Sequence, residues 1–359
     1  MSSLSAFFAS RAGIISAGVF IGVVAALLQY MGNPPNMGVC VACMERDIVG
    51  ALGLHRADVV QYIRPEIIGF VFGSLIAALM FKEYRSRSGS APFVRFSLGF
   101  FAMVGALVFL GCPWRALLRL AGGDINAVVG LLGLIVGVGI GAMFLKSGYS
   151  LGPSKRTYTT AGLIMPLFML GLLILLLVAP KLPTGPVFFS AKGPGSQYAP
   201  VAVSLIAAIA IGFIAQRTRF CTMGAIRDVI LIKDYHLISG LAGLVGGAFV
   251  TNMILGQFNP GFAGQPIAHT NIVWNFGGML LSGIAFALAG GCPGRQLFLA
   301  GEGDGDAAIF VLGMLAGAAF SHNFAAASTP AGPGLWGPGA VIAGIIFCLF
   351  IGFTMREKA

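Results

Sequence analysis

Charge is what this sequence has least of. Only 9% of its 359 residues are charged, against roughly 25% in a soluble domain, and just 12 are acidic. So few charges cannot cover a globule of this length with polar surface, which excludes a soluble protein of two or three domains. Histidine is scarce too, at four residues. No Gly-x-x-x-x-Gly-Lys-Ser/Thr loop occurs, so ATP-driven work by this chain alone is not expected. The formal net charge is +10, yet no basic run or aromatic-basic cluster occurs, which argues against nucleic acid as a partner. The six cysteines are spread along the chain rather than gathered into the framework of a small secreted domain. Cys40-x-x-Cys43 has no second Cys or His pair near it, so neither a metal nor another cofactor is expected. Period-two alternation is also missing from the apolar stretches, which excludes a transmembrane β-barrel.

What is present is apolar length. Hydrophobic residues make up 57% of the chain, the mean hydropathy is +0.91, and 53 glycines point to closely packed or interrupted helices. The chain reads as an all-α polytopic membrane protein. About 20 apolar residues span a bilayer core, and ten candidate stretches lie near 13–31, 66–81, 96–111, 127–145, 160–179, 200–215, 238–257, 273–290, 307–320 and 340–355. The first is long enough to remain a helix, and no small-residue cleavage site precedes a polar mature region.

Ten spans put both termini on one side, and the distribution of Lys and Arg selects the cytoplasm. That side then holds Arg11, Lys82, Arg85, Arg87, Arg95, Lys146, Lys155, Arg156, Arg217, Arg219, Arg227, Lys233, Arg295, Arg356 and Lys358. The opposite side keeps Arg46, Arg56, Arg64, Arg115, Arg119, Lys181 and Lys192, and the loops 258–272 and 321–339 contain no Lys or Arg.

Two motifs recur at half the chain length. Cys40-x5-Arg46-Asp47 is echoed by Cys221-x5-Arg227-Asp228, with His55 and His236 eight residues after each Asp. Gly111-Cys112-Pro113-Trp114-Arg115 is echoed by Gly291-Cys292-Pro293-Gly294-Arg295, with Asp124 and Asp304 twelve residues after each Cys. Five spans per half is an odd number, so the halves are expected to be inverted repeats, a transporter architecture with its path near the midplane. The first repeat core is placed at 1–157, its last span and connecting loop at 158–198, and the second repeat at 199–359. Stretches too short to cross a membrane follow each cysteine motif: 41–54, 113–120, 222–233 and 293–299. They read as re-entrant half-helices, two from each face, meeting in an hourglass, because non-spanning backbone at that depth must line a cavity or be buried in protein.

Pro113 and Pro293 suit a first helical position and so put Cys112 and Cys292 at helix N-caps. There, free N–H groups and the partial positive charge attract anions, with Arg115 and Arg295 one turn on. Soft sulfur beside oriented donors fits a small chalcogen anion. Cys40 and Cys221 are their counterparts on the substrate path. Cys43, which has no echo, supports them, as do Arg46, Asp47, Arg227 and Asp228. Adjacent helical residues point different ways, so each member of the Arg-Asp doublets is expected to need a separate partner. His55 and His236 are expected at half-helix ends near water, Asp124 and Asp304 as caps of the next spans, and Cys348 as packing. Arg217 and Arg219 suit either an exiting anion or cytoplasmic retention of the loop.

At these residues the chain resembles the YeeE/YedE family of inner-membrane proteins with a sulfur-transport domain. The resemblance rests on the paired Gly-Cys motifs and Arg217-Thr-Arg-Phe-Cys221. Asn33-Pro-Pro-Asn-Met-Gly-Val-Cys40, Arg46-Asp47, Gly-Cys112-Pro-Trp-Arg and Leu-Arg-Leu-Ala-Gly-Gly-Asp124 look most like the YedE-type branch associated with selenium metabolism. The resemblance implies a non-enzymatic conduit in the cell inner membrane. It would take up an inorganic selenium or sulfur species, with selenite or selenosulfate favoured and a thiosulfate-like anion as the other candidate. Cys40, Cys112 and Cys292 match the family's pathway cysteines, with Cys221 as the repeat partner. A small cytoplasmic sulfurtransferase-like (TusA-type) protein is the implied partner beside the lipid bilayer. The alternative is a membrane thiol relay enzyme that passes sulfane sulfur or selenium to a cytoplasmic sulfurtransferase; a structural partner of a selenium-using complex is a third reading. The Cys-Pro-Trp/Gly-Arg motif departs from the thiosulfate branch.

Overall fold

The computed structural model describes residues 3–179 and 186–356; Lys181 and Lys358, used in the charge count above, lie outside them. A short helix α1 (Ser3–Ala9) leads into α2 (Arg11–Tyr30), whose N-cap Ser10 accepts the Gly13 N–H at 3.0 Å. Then come α3 (Val41–Ala51), α4 (Pro65–Met80), α5 (Pro92–Phe109), α6 (Pro113–Ala121), α7 (Asn126–Lys146) and α8 (Ile164–Val178). The second half repeats the alternation of long and short: α9 (Val201–Thr218), α10 (Thr222–Ile232), α11 (His236–Ile254), α12 (Ile272–Ala289), α13 (Pro293–Gly301), α14 (Gly305–Asn323) and α15 (Gly337–Thr354). One two-residue ribbon, β1 (Arg87–Ser88) antiparallel to β2 (Lys155–Arg156), joins the loops after α4 and α7.

Among the described residues nine helical stretches are long and apolar enough to cross a membrane. The tenth expected span, Pro65–Met80, is apolar but has 16 residues, about 24 Å of helix against a core of about 30 Å. The four short helices following the cysteine motifs have 11, 9, 11 and 9 residues, at most about 17 Å each. None can span alone.

Long helices pack across the halves rather than within them. α2 lies along α11 and α9 along α4; α5 lies along α14 and α12 along α7, while α5 and α12 meet each other. The short helices contact both halves: α6 packs on α11 and α7, α13 on α4 and α14, α10 on α7 and α11, and α3 on α14. α8 packs on α4, within its own half, and α15 on α5 and α12. Glycine allows the close seams. A Cβ at Gly18 or Gly22 would collide with the Gly240 or Leu244 carbonyl, and one at Gly73 with that of Ile209. Backbones in direct contact gain dispersion energy that bulkier side chains would prevent.

Candidate functional site

Each short helix begins one residue after a cysteine. Cys40, Cys112, Cys221 and Cys292 all have extended backbone and stand at the N-caps of α3, α6, α10 and α13. Cys40 Sγ accepts the Cys43 N–H at 3.4 Å and Cys221 Sγ the Gly224 N–H at 3.3 Å, so sulfur takes the place that a Ser or Asn oxygen usually fills. Pro113 and Pro293 occupy the first turns of the other two helices. Backbone N–H groups face these sulfurs from both directions: those of Arg115 and Ala42 at Cys112, and those of Arg295 and Thr222 at Cys292.

The thiols that meet come from different motifs. Cys40 neighbours Cys112, and Cys43 neighbours Cys40. In the second half Cys221 Sγ is 3.8 Å from Cys292 Sγ. All six cysteines are buried free thiols. Cys348 lies in α15 in the apolar core, away from this group.

Arg115 is fully buried. It donates to the Leu110 carbonyl, to Ile267 O at 3.1 Å and to Cys43 Sγ at 3.7 Å, while its Nε has no partner among the described residues. Arg295 binds Glu302 at 3.3 Å with its charge directed at Cys221. Part of the guanidinium capacity expected for an anion is thus already used, on carbonyls at Arg115 and on a carboxylate at Arg295.

The Arg-Asp doublets correct an expectation. Arg46 bonds its own neighbour Asp47, through Nε at 2.9 Å and a terminal nitrogen at 2.6 Å, and Arg227 bonds Asp228 at 2.8 Å. A long Arg side chain folds back around the short Asp, so helical phase does not separate them. The other Asp47 oxygen accepts Arg64 Nε at 2.8 Å, and Arg64 also reaches the carbonyls of Gln197 and Pro194. His55 corrects another: it is buried, not near water, with Nε2 3.1 Å from the Arg46 carbonyl and its ring against His322. His236 opens α11, its N–H held by Asp234. Asp304 caps α14 and also pairs with Arg87 at 2.7 Å, while Asp124 holds Asn126 and Arg119 just before α7.

Three residues that sequence reasoning passed over belong here. Trp114 lies two residues after Cys112 and is fully buried, ringed edge-on by Phe70 and Phe220 and tilted against Phe298. Its Nε1 has no partner among the described residues, and neither has the buried Thr222 Oγ1 beside Cys221. Glu302 holds both Arg219 and Arg295. A signal for Trp114 existed: its repeat counterpart is Gly294, so this position alone within the Gly-Cys-Pro-x-Arg motif changes from the largest residue to the smallest.

A polar cavity of about 370 Å³ is lined by Arg219 and Arg295, close in sequence to Cys221 and Cys292, together with Glu83, Arg85, Arg87 and Glu302. Burial pushes the Glu83 carboxyl up, but hydrogen bonds from Arg217 and Gln216 and the charge of Arg219 outweigh it and hold the group below its usual range. Arg217, also packed on Phe81, and Arg219 are therefore both tied to this acid.

With that geometry in view, known proteins supply a direct comparison. Residues 217–346 match the family described as Sulphur transport. Those residues, within the second half, are thus similar to that family. They include Cys221, Cys292, Arg295 and the helices α10 to α14 that position them. A Spirochaeta thermophila protein named thiosulfate transporter TsuA is 31% identical over 104 residues, covering 28% of this chain and 29% of that protein. The aligned stretch is thus under a third of the relative's length. Both findings support the YeeE/YedE resemblance.

Proposed function

We propose that this protein is a multi-pass inner-membrane transporter that takes up a small sulfur oxyanion such as thiosulfate, with both termini in the cytoplasm. The observation that carries the reading is the pair of thiol clusters, Cys40–Cys112 and Cys221–Cys292, each seated where two helices begin. A helix N-terminus offers unbonded N–H groups and a partial positive charge to an anion. A thiol adds a polarizable surface and a weak donor, which suits the terminal sulfur of thiosulfate more than the hard oxygens of sulfate. The matched family and the named relative favour a sulfur species.

In this reading the two halves are inverted repeats, and the four short helices dip in from opposite faces to form an hourglass. Support comes from the exchange of helix partners between halves and from the loops assigned to the cytoplasm, which touch one another. Arg87 meets Asp304, Arg217 and Arg219 meet Glu83, and β1 pairs with β2. The anion enters past Cys40, Cys43 and Cys112, crosses the buried aromatic layer, meets Cys221 and Cys292, and leaves through the Arg-lined cavity. Desolvating the anion is costly; N–H donors and thiols at each stage replace part of its hydration, and no thiol needs to bond covalently.

Uptake of radiolabelled thiosulfate by proteoliposomes tests this, with sulfate, selenite and selenosulfate as competitors. Suppression by the selenium species would extend the substrate range to the selenium branch. Equal suppression by sulfate, or absence of uptake, would sink the reading. Impermeant maleimide should label Asp58→Cys, at an exposed loop position, from outside and Lys233→Cys, likewise exposed, from inside; labelling of both from one face would refute the inverted arrangement.

A further inference from the structure

Trp114 joins the two thiol clusters. Its backbone lies in the first turn of α6, two residues from Cys112. Its ring reaches the first turn of α13, where a Cβ added to Gly294 would stand 3.3 Å from Cζ2 and 3.4 Å from Cε2, the atom that carries Nε1. The ring also packs on Phe220, the residue before Cys221. The indole thus stands between one thiol motif and the other, and a Cβ at 294 would press on it.

The indole N–H is a donor with no acceptor function, and buried tryptophans ordinarily find a partner for it. Here the side chain is 1% exposed and Nε1 is unpartnered among the described residues. Leaving such a donor unpaired is unfavourable. Arg115 Nε, one residue on, is likewise buried and unpartnered. Two unpaired donors near two helix N-termini, walled by Phe70, Phe220 and Phe298, select an acceptor that carries negative charge and sheds its water. Cations and neutral donors gain nothing there.

We infer that Trp114 forms an anion subsite between the two thiol pairs: its indole N–H donates to a small sulfur oxyanion in transit, and its ring closes the path when no anion is bound. This rests on the transport reading above. The ring supplies bulk and the N–H supplies recognition, so the two roles separate by substitution. Trp114→Phe keeps an aromatic wall and removes the donor; Trp114→Ala removes both; Gly294→Ala presses a methyl on the ring.

The test is anion uptake by proteoliposomes together with emission of Trp114 as the sole tryptophan, in a Trp274→Phe/Trp336→Phe background. Trp114→Phe should raise KM for thiosulfate roughly tenfold or more, the loss of one hydrogen bond to a charged acceptor, with thermal stability nearly unchanged. Trp114→Ala should admit sulfate, and Gly294→Ala should slow flux. Thiosulfate, but not sulfate, should shift the Trp114 emission. An unchanged KM in Trp114→Phe, or emission indifferent to thiosulfate, overturns the inference. If the unmutated protein takes up none of these anions, the transport reading falls, and the emission titration still decides the subsite.

Discussion

The two thiol clusters are built alike and housed differently. Cys40, Cys43 and Cys112 are sealed among buried side chains, and their arginine is tied to backbone carbonyls. Cys221, at 6% exposed, is preceded within three residues by Arg219, and Cys292 is followed within three by Arg295; both arginines line a cavity of charged residues and are balanced by Glu83 and Glu302. The same contrast runs through the doublets: Arg46 and Asp47 are buried, whereas Arg227 and Asp228 are 33% and 18% exposed. The motif repeat therefore preserves the helix starts while each half sets its own dielectric surroundings. The first cluster is enclosed, and the second has partly exposed charged residues near it.

The largest effect expected from that contrast is on stability. Asp47→Asn leaves Arg46 and Arg64 with no counter-charge in a buried site, which costs on the order of 3–5 kcal/mol. Asp228→Asn removes a partly exposed pair worth about 0–1 kcal/mol. Thermal unfolding in detergent of the two variants should differ accordingly, and similar losses would erase the distinction. Next in size is flux. Cys112→Ala removes a donor where no water can replace it, costing on the order of 1–3 kcal/mol and so roughly tenfold or more in uptake. Cys292→Ala, close in sequence to Arg295 of the polar cavity, should lose less. Serine at either position should keep measurable transport, because it retains a donor of nearly the same size. Identical loss for Ser and Ala, with a sulfur adduct on Cys112 by mass spectrometry, would favour the covalent relay instead, since a hydroxyl at its ordinary pKa cannot perform thiol exchange.

Smaller again is a difference in reactivity. A small methanethiosulfonate should modify Cys221 before Cys40, Cys43 or Cys112, as peptide mapping would reveal; simultaneous modification would mean that the sealed cluster opens as readily as its counterpart. The smallest effect concerns Glu83. Its folded pKa is lowered, so its contribution is full above the ordinary value of 4.5 and is lost as pH falls through the depressed one. Acid below about pH 4.5 should loosen the cavity lining in the unmutated protein and change Glu83→Gln less, read as melting temperature against pH; equal acid sensitivity would remove Glu83 from that account.

Much of this was legible in the residues. Proline after Cys112 and Cys292 predicts the starts of α6 and α13 to the residue, because only a first turn tolerates a missing N–H there. Hydropathy finds the long helices, since bilayer thickness leaves few solutions. Pro65–Met80 came out shorter than a span because Arg64 before it is drawn to Asp47 and the chain turns after Phe81. Pairing between motifs was not legible: that Cys40 faces Cys112 depends on how two short helices converge, which periodicity within either does not encode. Arg46–Asp47 was misread because helical phase describes Cβ directions, while an Arg side chain is long enough to bend back to its neighbour. Trp114 passed unremarked because a large aromatic in an apolar chain reads as core until its N–H is found without a partner.

The seams at Gly18, Gly22 and Gly73 have a mechanical consequence. Where backbones touch with no side chains between them, neighbouring helices have no compressible layer on which to slide or tilt, and close-packed interiors resist gradual deformation. Because those seams join one half of the chain to the other, the frame behaves as a single rigid casting. Movement then falls to parts that turn within it, such as an indole ring or a cysteine rotamer, whose intrinsic motions are far faster than the swing of whole domains. In the proposed transporter the moving parts would then lie along the path and not in the frame.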